Sequence, residues 1–450
     1  MFFSRKLTKR TLQNRMAQNV LIGIPDRTCN HTAKRSELMK TGVHYPNIPY
    51  DEYQRRIDLA KHLLSEHGLD AMVLFAPVNW YYYGGFTDPA QMHNEAWRVA
   101  LIITQDRDPV AVGDTNFIWT FAHVSWVEDV RFHFAQKHPA YAPIASGTTF
   151  YKVFFDTIKS LGLHNKTIGF ETGAEIAGYL SIDEFHMIKA KLPDATIKSA
   201  DPVIWAQRTI KTPFEQEIIR EGCRRACLCV REAFETIRPG VLEKDVHRAF
   251  WRKAVELDLL ESPVHSTFLL FSSNPQESLG GHRWITQPVD RVIKTGDCGH
   301  SDCGPTYKMY EMDFQRAFSV GPPTAKTLEY YKIGKEAYYE TIDAMRPGVR
   351  IGNLYDISVK ALSKRGFEHG HTINFIGHGE GLANHEPPWM TPEQDEPVKP
   401  GMVLAIEIGC FDPEGVHFGG MLEDLWLIGE NGNENLTRHF TDELFIAPVG

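Results

Sequence analysis

Apolar and polar positions follow two different periods along this 450-residue chain. From Pro49 onward, Tyr53, Ile57, Ala60 and Leu64 recur at helical spacing, and Gly68 stands where a helix would end in a left-handed cap. Ala71 to Phe75 is a short apolar run of buried-strand length, and Val99 to Ile103 and Val110 to Val112 read the same way. Helical periodicity returns around residues 150–161 and 181–191. Alternation of this kind predicts a small α/β layer domain that ends near Asp201. The aromatic stretch Asn79 to Phe86 lies inside it, and its tyrosines are read as core and domain interface.

The pattern then lengthens. Thr212-Pro213-Phe214-Glu215 is a capping box with proline at the first helical position. The helix it opens carries Ile218, Ile219, Ala226, Val230 and Phe234 to Ile237, and stops at Arg238-Pro239-Gly240-Val241. The same four residues recur 108 positions later as Arg346-Pro347-Gly348-Val349, again behind a helix. Each copy precedes a second helical segment, Asp245 to Leu257 and Leu354 to Lys364, so the turns mark an internal duplication.

Candidate chemistry lies after each helix pair. Lys294 to Phe318 reads as a turn at Gly296-Asp297, a strand, a reversal near Lys308 and a returning strand, with Asp302 and Asp313 on the two arms. A hairpin brings such positions together, and two facing carboxylates repel unless a proton or a hard cation joins them. A polar surface hairpin with solvated acids is the other reading. A shift of 108 residues carries Asp302 to within three residues of Glu407 and Asp313 to within two of Glu423. Each half would then be a helix pair followed by a hairpin with two acids, and a pseudo-twofold arrangement would aim four acids at one point.

Further downstream stand Gly377-His378-Gly379-Glu380-Gly381, His385-Glu386-Pro387-Pro388, Pro400-Gly401-Met402 with Glu407, and Glu423-Asp424. With these runs the chain, over roughly residues 210–447, resembles the pita-bread metallopeptidases. That group includes methionine aminopeptidase, aminopeptidase P, prolidase, the metal-free creatinase and a dimethylsulfoniopropionate lyase. The resemblance implies a pita-bread catalytic domain at 206–450, a creatinase/prolidase-like α/β domain at 49–205 and an N-terminal extension at 1–48. It implies two divalent metal ions (Mn, Fe, Co or Zn, with Mn favoured) held by Asp302, Asp313, His378, Glu407 and Glu423. Asp313 and Glu423 would bridge, Glu407 would also move the proton of the attacking water, and His282 and His385 would face substrate and oxyanion.

The implied activity is hydrolysis of a C–N bond in a small substrate or short peptide, of Xaa-Pro peptidase type, by a homodimer. Met421 departs from that pattern, because aminopeptidase P and prolidase carry arginine two residues before the last glutamate. A lyase acting on a small zwitterion and a non-catalytic binding module on the same fold are the alternatives. Composition narrows the partners: a net charge of −9 argues against nucleic acid, and no apolar run has the length of a membrane span. Seven scattered cysteines fit a reducing compartment, so a cytoplasmic location is expected. The basic segment before Met16 is read as a loose arm, with an organelle-targeting presequence as the second reading.

Overall fold

The computed structural model describes residues 48–86, 98–114, 125–133, 149–173, 179–259, 268–273, 287–367, 375–411 and 418–450. The chain divides into two compact units between Ile204 and Trp205. The expected extension, residues 1–48, lies outside the described residues except for its last position.

The first unit is a six-stranded mixed sheet flanked by helices. Its elements are α1 (Tyr50–Glu66), β1 (Ala71–Leu74), β2 (Ala100–Thr104), β3 (Val110–Asp114), β4 (Asp129–His133), α2 (Phe150–Ser160), β5 (Thr167–Phe170), α3 (Ile182–Lys191) and β6 (Thr196–Ser199). The strand order is β4-β3-β2-β1-β5-β6. Apolar strands β1 and β2 sit at the centre, and Val73, Phe75, Ile102, Phe154, Ile158 and Phe170 share one core. β4, β5 and β6 escape the periodicity: β4 and β6 are edge strands, β6 burying none of its residues, and β5, though three of its residues are buried, is only four residues long. The tyrosine run is core: Trp80–Gly84 forms a single π-helical turn, and Tyr81, Tyr82 and Tyr83 are fully buried. Gly85 closes it at φ +69°, where a Cβ would come within 2.7 Å of the Tyr53 hydroxyl.

The second unit shows the duplication in its hydrogen bonds. Its first half contains α4 (Pro213–Glu235), α5 (Glu243–Glu256), β7 (Phe268–Ser272), β8 (Cys298–Gly304), β9 (Thr306–Tyr307), β10 (Tyr310–Glu311) and β11 (Phe314–Val320). The second half contains α6 (Ala325–Ala344), α7 (Ile351–Ser363), β12 (Gly377–Gly379), β13 (Val403–Phe411), β14 (Phe418–Leu427), β15 (Glu434–Asn435) and β16 (Phe445–Ala447). Thr212 and Glu215 form the reciprocal capping box at the start of α4. Gly240 and Gly348 take φ of +90° and +87°, and their N–H groups donate to Ile293 and Val398 carbonyls at 2.9 Å each. Gly296 and Gly401 both take φ +86°, and their N–H groups donate at 2.8 Å to Val320 and Ile428 at the ends of the returning strands.

These equivalent turns correct the uniform shift of 108 residues. Gly401 follows Gly296 by 105 positions, so the same offset lays Glu407 directly on Asp302. The connection between helix pair and hairpin is three residues shorter in the second copy, which a fixed shift cannot register. Two four-stranded sheets result, β16-β11-β8-β7 and β12-β13-β14-β15, with β9 and β10 as a separate ribbon. No described helix is long and apolar enough to cross a membrane.

Candidate metal centre

The first hairpin turns through Lys308 (φ +46°) and Met309 (φ +75°), between β9 and β10. Two successive left-handed residues are what a two-residue hairpin with native twist requires. The fold accepts this strain because Tyr310 and Glu311 pair with Tyr307 and Thr306 on the other arm. Asp302 lies opposite Gln315 in the β8–β11 ladder. Side chains alternate across a strand, so Asp313, two residues before Gln315, shares the face of Asp302. The second hairpin places Glu407 directly opposite Glu423, and β12 adds His378 beside Ala405.

Five side chains thus converge, all of them buried. One donor atom from each of Asp302, Asp313 and Glu423 lies within 4.8 Å of the others, and the same holds for His378, Glu407 and Glu423. A third such group joins Asp313, His378 and His385. His378 Nε2 is 3.8 Å from Asp313 Oδ2 and 3.9 Å from Glu423 Oε1.

The electrostatics are those of a cation site. Burial raises the carboxyl pKa of Asp302 well above the usual range, and the charges of Asp313 and Glu407 add to it. Burial is also the largest cause of the upward shifts at Asp313, Glu407 and Glu423. His378 is pushed down to about 3 by burial and by its neighbour His385, which leaves a neutral imidazole with a free lone pair. Asp302 Oδ1, Asp313 Oδ1, both Glu423 oxygens and His378 Nε2 are buried with no hydrogen-bond partner among the described residues. Buried polar atoms without partners are rare, and a set of them that points inward from two hairpins fits a divalent cation held by oxygen and one nitrogen.

His385 stands at the rim. Its backbone takes φ +67°, its side chain is 44% exposed, and its ring centroid is 4.2 Å from that of His378. Neighbouring Glu386 locks this loop: its Oε1 accepts from the Leu382 and Ala383 N–H groups at 2.9 and 3.2 Å and pairs with Arg208, and its Oε2 faces Lys211 at 3.6 Å. Phe375 and Trp389 line the same side, with Trp389 5.4 Å from His385 and 5.9 Å from His378 between centroids. His282 lies outside the described residues.

Three residues beside the candidate ligands escaped the sequence reading. Asn384 Nδ2 donates to Asp313 Oδ2 at 2.9 Å, and Gln315 Nε2 reaches Glu407 Oε2 at 3.5 Å. Glu380 Oε2 lies 3.6 Å from His378 Nδ1. Period-two counting from Asp313 would have flagged Gln315; nothing local marks Asn384.

Residues 217–430 match the model of metallopeptidase family M24, and residues 56–210 match the creatinase/prolidase N-terminal domain. The Xaa-Pro dipeptidase of Pyrococcus horikoshii is 31% identical over 291 residues, 64% of this chain and 76% of that protein. The chain belongs to metallopeptidase family M24. Similarity extends over 86% of this chain and 98% of the Pyrococcus furiosus Xaa-Pro dipeptidase, at 29% identity. The structure of an Xaa-Pro dipeptidase from Bacillus anthracis shares the fold, with a TM-score of 0.72 over 88% of this chain and 99% of that one at 23% identity. As an M24 peptidase with this donor set, the protein is a metal-dependent hydrolase of a peptide bond.

Proposed function

We propose that the protein is a dinuclear peptidase that cleaves the bond before proline in short Xaa-Pro peptides. The observation that carries this reading is the overlap of the three donor groups: Asp313, His378 and Glu423 each belong to two of them. Asp302 falls in one group and Glu407 in another, and no group holds both, which suits two neighbouring ions that Asp302, Asp313, His378, Glu407 and Glu423 would hold, Asp313 and Glu423 being shared. Bound there, divalent ions would polarise the scissile carbonyl and lower the pKa of an attacking water.

The chain's own residues supply the remainder. Glu407 accepts the proton of the attacking water and returns it to the leaving nitrogen. His385, exposed at the rim, donates to the oxygen that gains charge as the carbonyl becomes tetrahedral. Phe375 and Trp389 form an apolar wall beside it on which a proline ring can pack. Met421, on the face of β14 that carries Glu423, is buried and uncharged, so this position offers no cation for a dipeptide's terminal carboxylate. The reading therefore favours peptides that continue beyond proline over free dipeptides. The names of the Pyrococcus and Bacillus relatives support the Xaa-Pro part of it.

Metal-stripped protein reconstituted with Mn, Fe, Co or Zn should bind about two ions per chain and cleave Xaa-Pro-Xaa tripeptides faster than Xaa-Pro dipeptides. Elemental analysis with no metal, and activity untouched by chelation, would overturn the metal reading. Metal-dependent turnover of other peptides with none of Xaa-Pro substrates would overturn the substrate.

A further inference from the structure

Beside the Nδ1 edge of His378 lies a further buried carboxyl group, that of Glu380, which the reaction itself does not require. Glu380 follows His378 by two positions, so in this extended segment both side chains leave the backbone on one face. Its side chain is fully buried, and neither oxygen has a hydrogen-bond partner among the described residues. A buried carboxyl group without hydrogen bonds costs more than an apolar side chain of similar size in the same place. Its presence calls for an explanation beyond packing.

The geometry points to one. His378 Nδ1 is 3.0 Å from the Gly379 carbonyl oxygen and 3.6 Å from Glu380 Oε2. Both neighbours are acceptors, so the ring's proton belongs on Nδ1 and the lone pair on Nε2, the atom that faces Asp313 and Glu423. The carbonyl sits at hydrogen-bond distance, and the carboxyl oxygen lies just beyond it on the same edge of the ring. The backbone that carries Glu380 is fixed on both sides. Glu380 N–H donates to Val403 O at 3.1 Å, and Gly379 exchanges hydrogen bonds with Glu386 at 2.8 Å. Glycine is needed on either flank: a Cβ at Gly379 would meet Pro387 O at 2.3 Å, and one at Gly381 the Glu386 carboxylate at 2.7 Å.

We propose that Glu380 is a positioning residue for the metal-facing histidine, holding the His378 imidazole with Nε2 turned toward Asp313 and Glu423. The inference rests on the metal-centre reading above. Carboxyl groups placed behind ligating histidines fix tautomer and ring orientation, and their loss costs about 10- to 100-fold in metal affinity or activity.

The test is the Mn²⁺ affinity of the metal-stripped full-length chain, measured by competition with a chelating dye for wild type, Glu380→Gln, His378→Ala and the double variant. Glu380→Gln keeps the volume and should weaken Mn²⁺ binding by about 10-fold or more. In the His378→Ala background the same substitution should cause no further loss, because there is no ring left to orient. An affinity within about twofold of wild type, or an equal loss in both backgrounds, overturns the proposal. Wild-type protein that binds no Mn²⁺ at all overturns the metal reading instead. Should Glu380→Gln not fold, Glu380→Asp, which withdraws the carboxyl group by one methylene, is held to the same criteria.

Discussion

Glu423 and Asp424 are neighbours on β14, both buried, and the strand turns them to opposite faces. Asp424 is saturated. Its Oδ1 accepts from Arg316 Nη2 and Thr437 Oγ1 at 2.5 Å each, and its Oδ2 from the Tyr338 hydroxyl at 2.9 Å. Arg316 in turn donates to the Glu423 and Gln315 carbonyls at 2.6 and 2.8 Å. Glu423, one residue earlier, has neither oxygen hydrogen-bonded among the described residues. One face of the same two strands is thus a closed ion-pair network, and the other is an open set of acids that share a point. The first stabilises the fold by being complete; the second is suited to a ligand because it is incomplete. The complete face also holds the incomplete one, since Arg316 grips the backbone of the residues whose side chains face the metal centre.

The largest effects should come from the open face. Asp313→Ala and Glu423→Ala should reduce kcat/KM on the order of 10⁴-fold or more, because loss of a shared ligand disables the site as a unit. Asp302→Ala should retain more activity and more metal. Metal content and kcat/KM on the same preparations check the order, and Asp302→Ala as the most damaging change would reverse the assignment of shared and terminal ligands.

On the closed face the loss should appear in stability. Asp424→Ala leaves Arg316 buried without its counter-charge and should destabilise the protein by about 3–5 kcal/mol with or without metal. Joint replacement by apolar residues, Arg316→Met with Asp424→Leu, should recover much of that loss in urea denaturation. A metal-dependent penalty for Asp424→Ala would merge the two faces into one system.

At the rim, His385→Ala should lower kcat by about 10²- to 10³-fold, or roughly 3–4 kcal/mol, while metal content and Tm stay unchanged. Normal kcat with a lowered Tm would make His385 a loop residue and remove it from catalysis.

The smallest expected effect concerns the metal-free protein. Burial raises the folded-state pKa of Asp302, Asp313, Glu407 and Glu423 above their unfolded values. The metal-free fold therefore keeps protons that the unfolded chain has released. Its stability from these groups is complete below about pH 4 and falls as pH rises toward and beyond neutrality. Glu423→Gln should remove part of that slope and stabilise the metal-free protein at pH 8 by roughly 1–2 kcal/mol, although it weakens metal binding. Urea denaturation at pH 5 and pH 8 with a chelator present measures the difference. A steeper slope in the variant would contradict burial as the cause of the raised Glu423 pKa.

Local order was legible wherever it rests on nearby residues. Thr212 and Glu215 announce their capping box within four positions, and Gly240 and Gly348 mark turns that only a glycine adopts without strain. The paired hairpins follow from the repeat of those turns, whereas Asp302, Asp313, Glu407 and Glu423 are singled out within them by the motifs shared with the M24 peptidases. Strands β4, β5 and β6 did not show, because runs of four or five residues are too short for an apolar period to stand out. The offset of 105 between Asp302 and Glu407 was hidden by a length change in a connection. What only the tertiary structure decided are the long-range choices: Arg316 for Asp424 across 108 residues, Asn384 for Asp313 across 71, and Glu380 behind His378. A side chain's type says that it needs a partner. Which buried partner it meets depends on how separate strands and loops pack, and no residue carries that information alone.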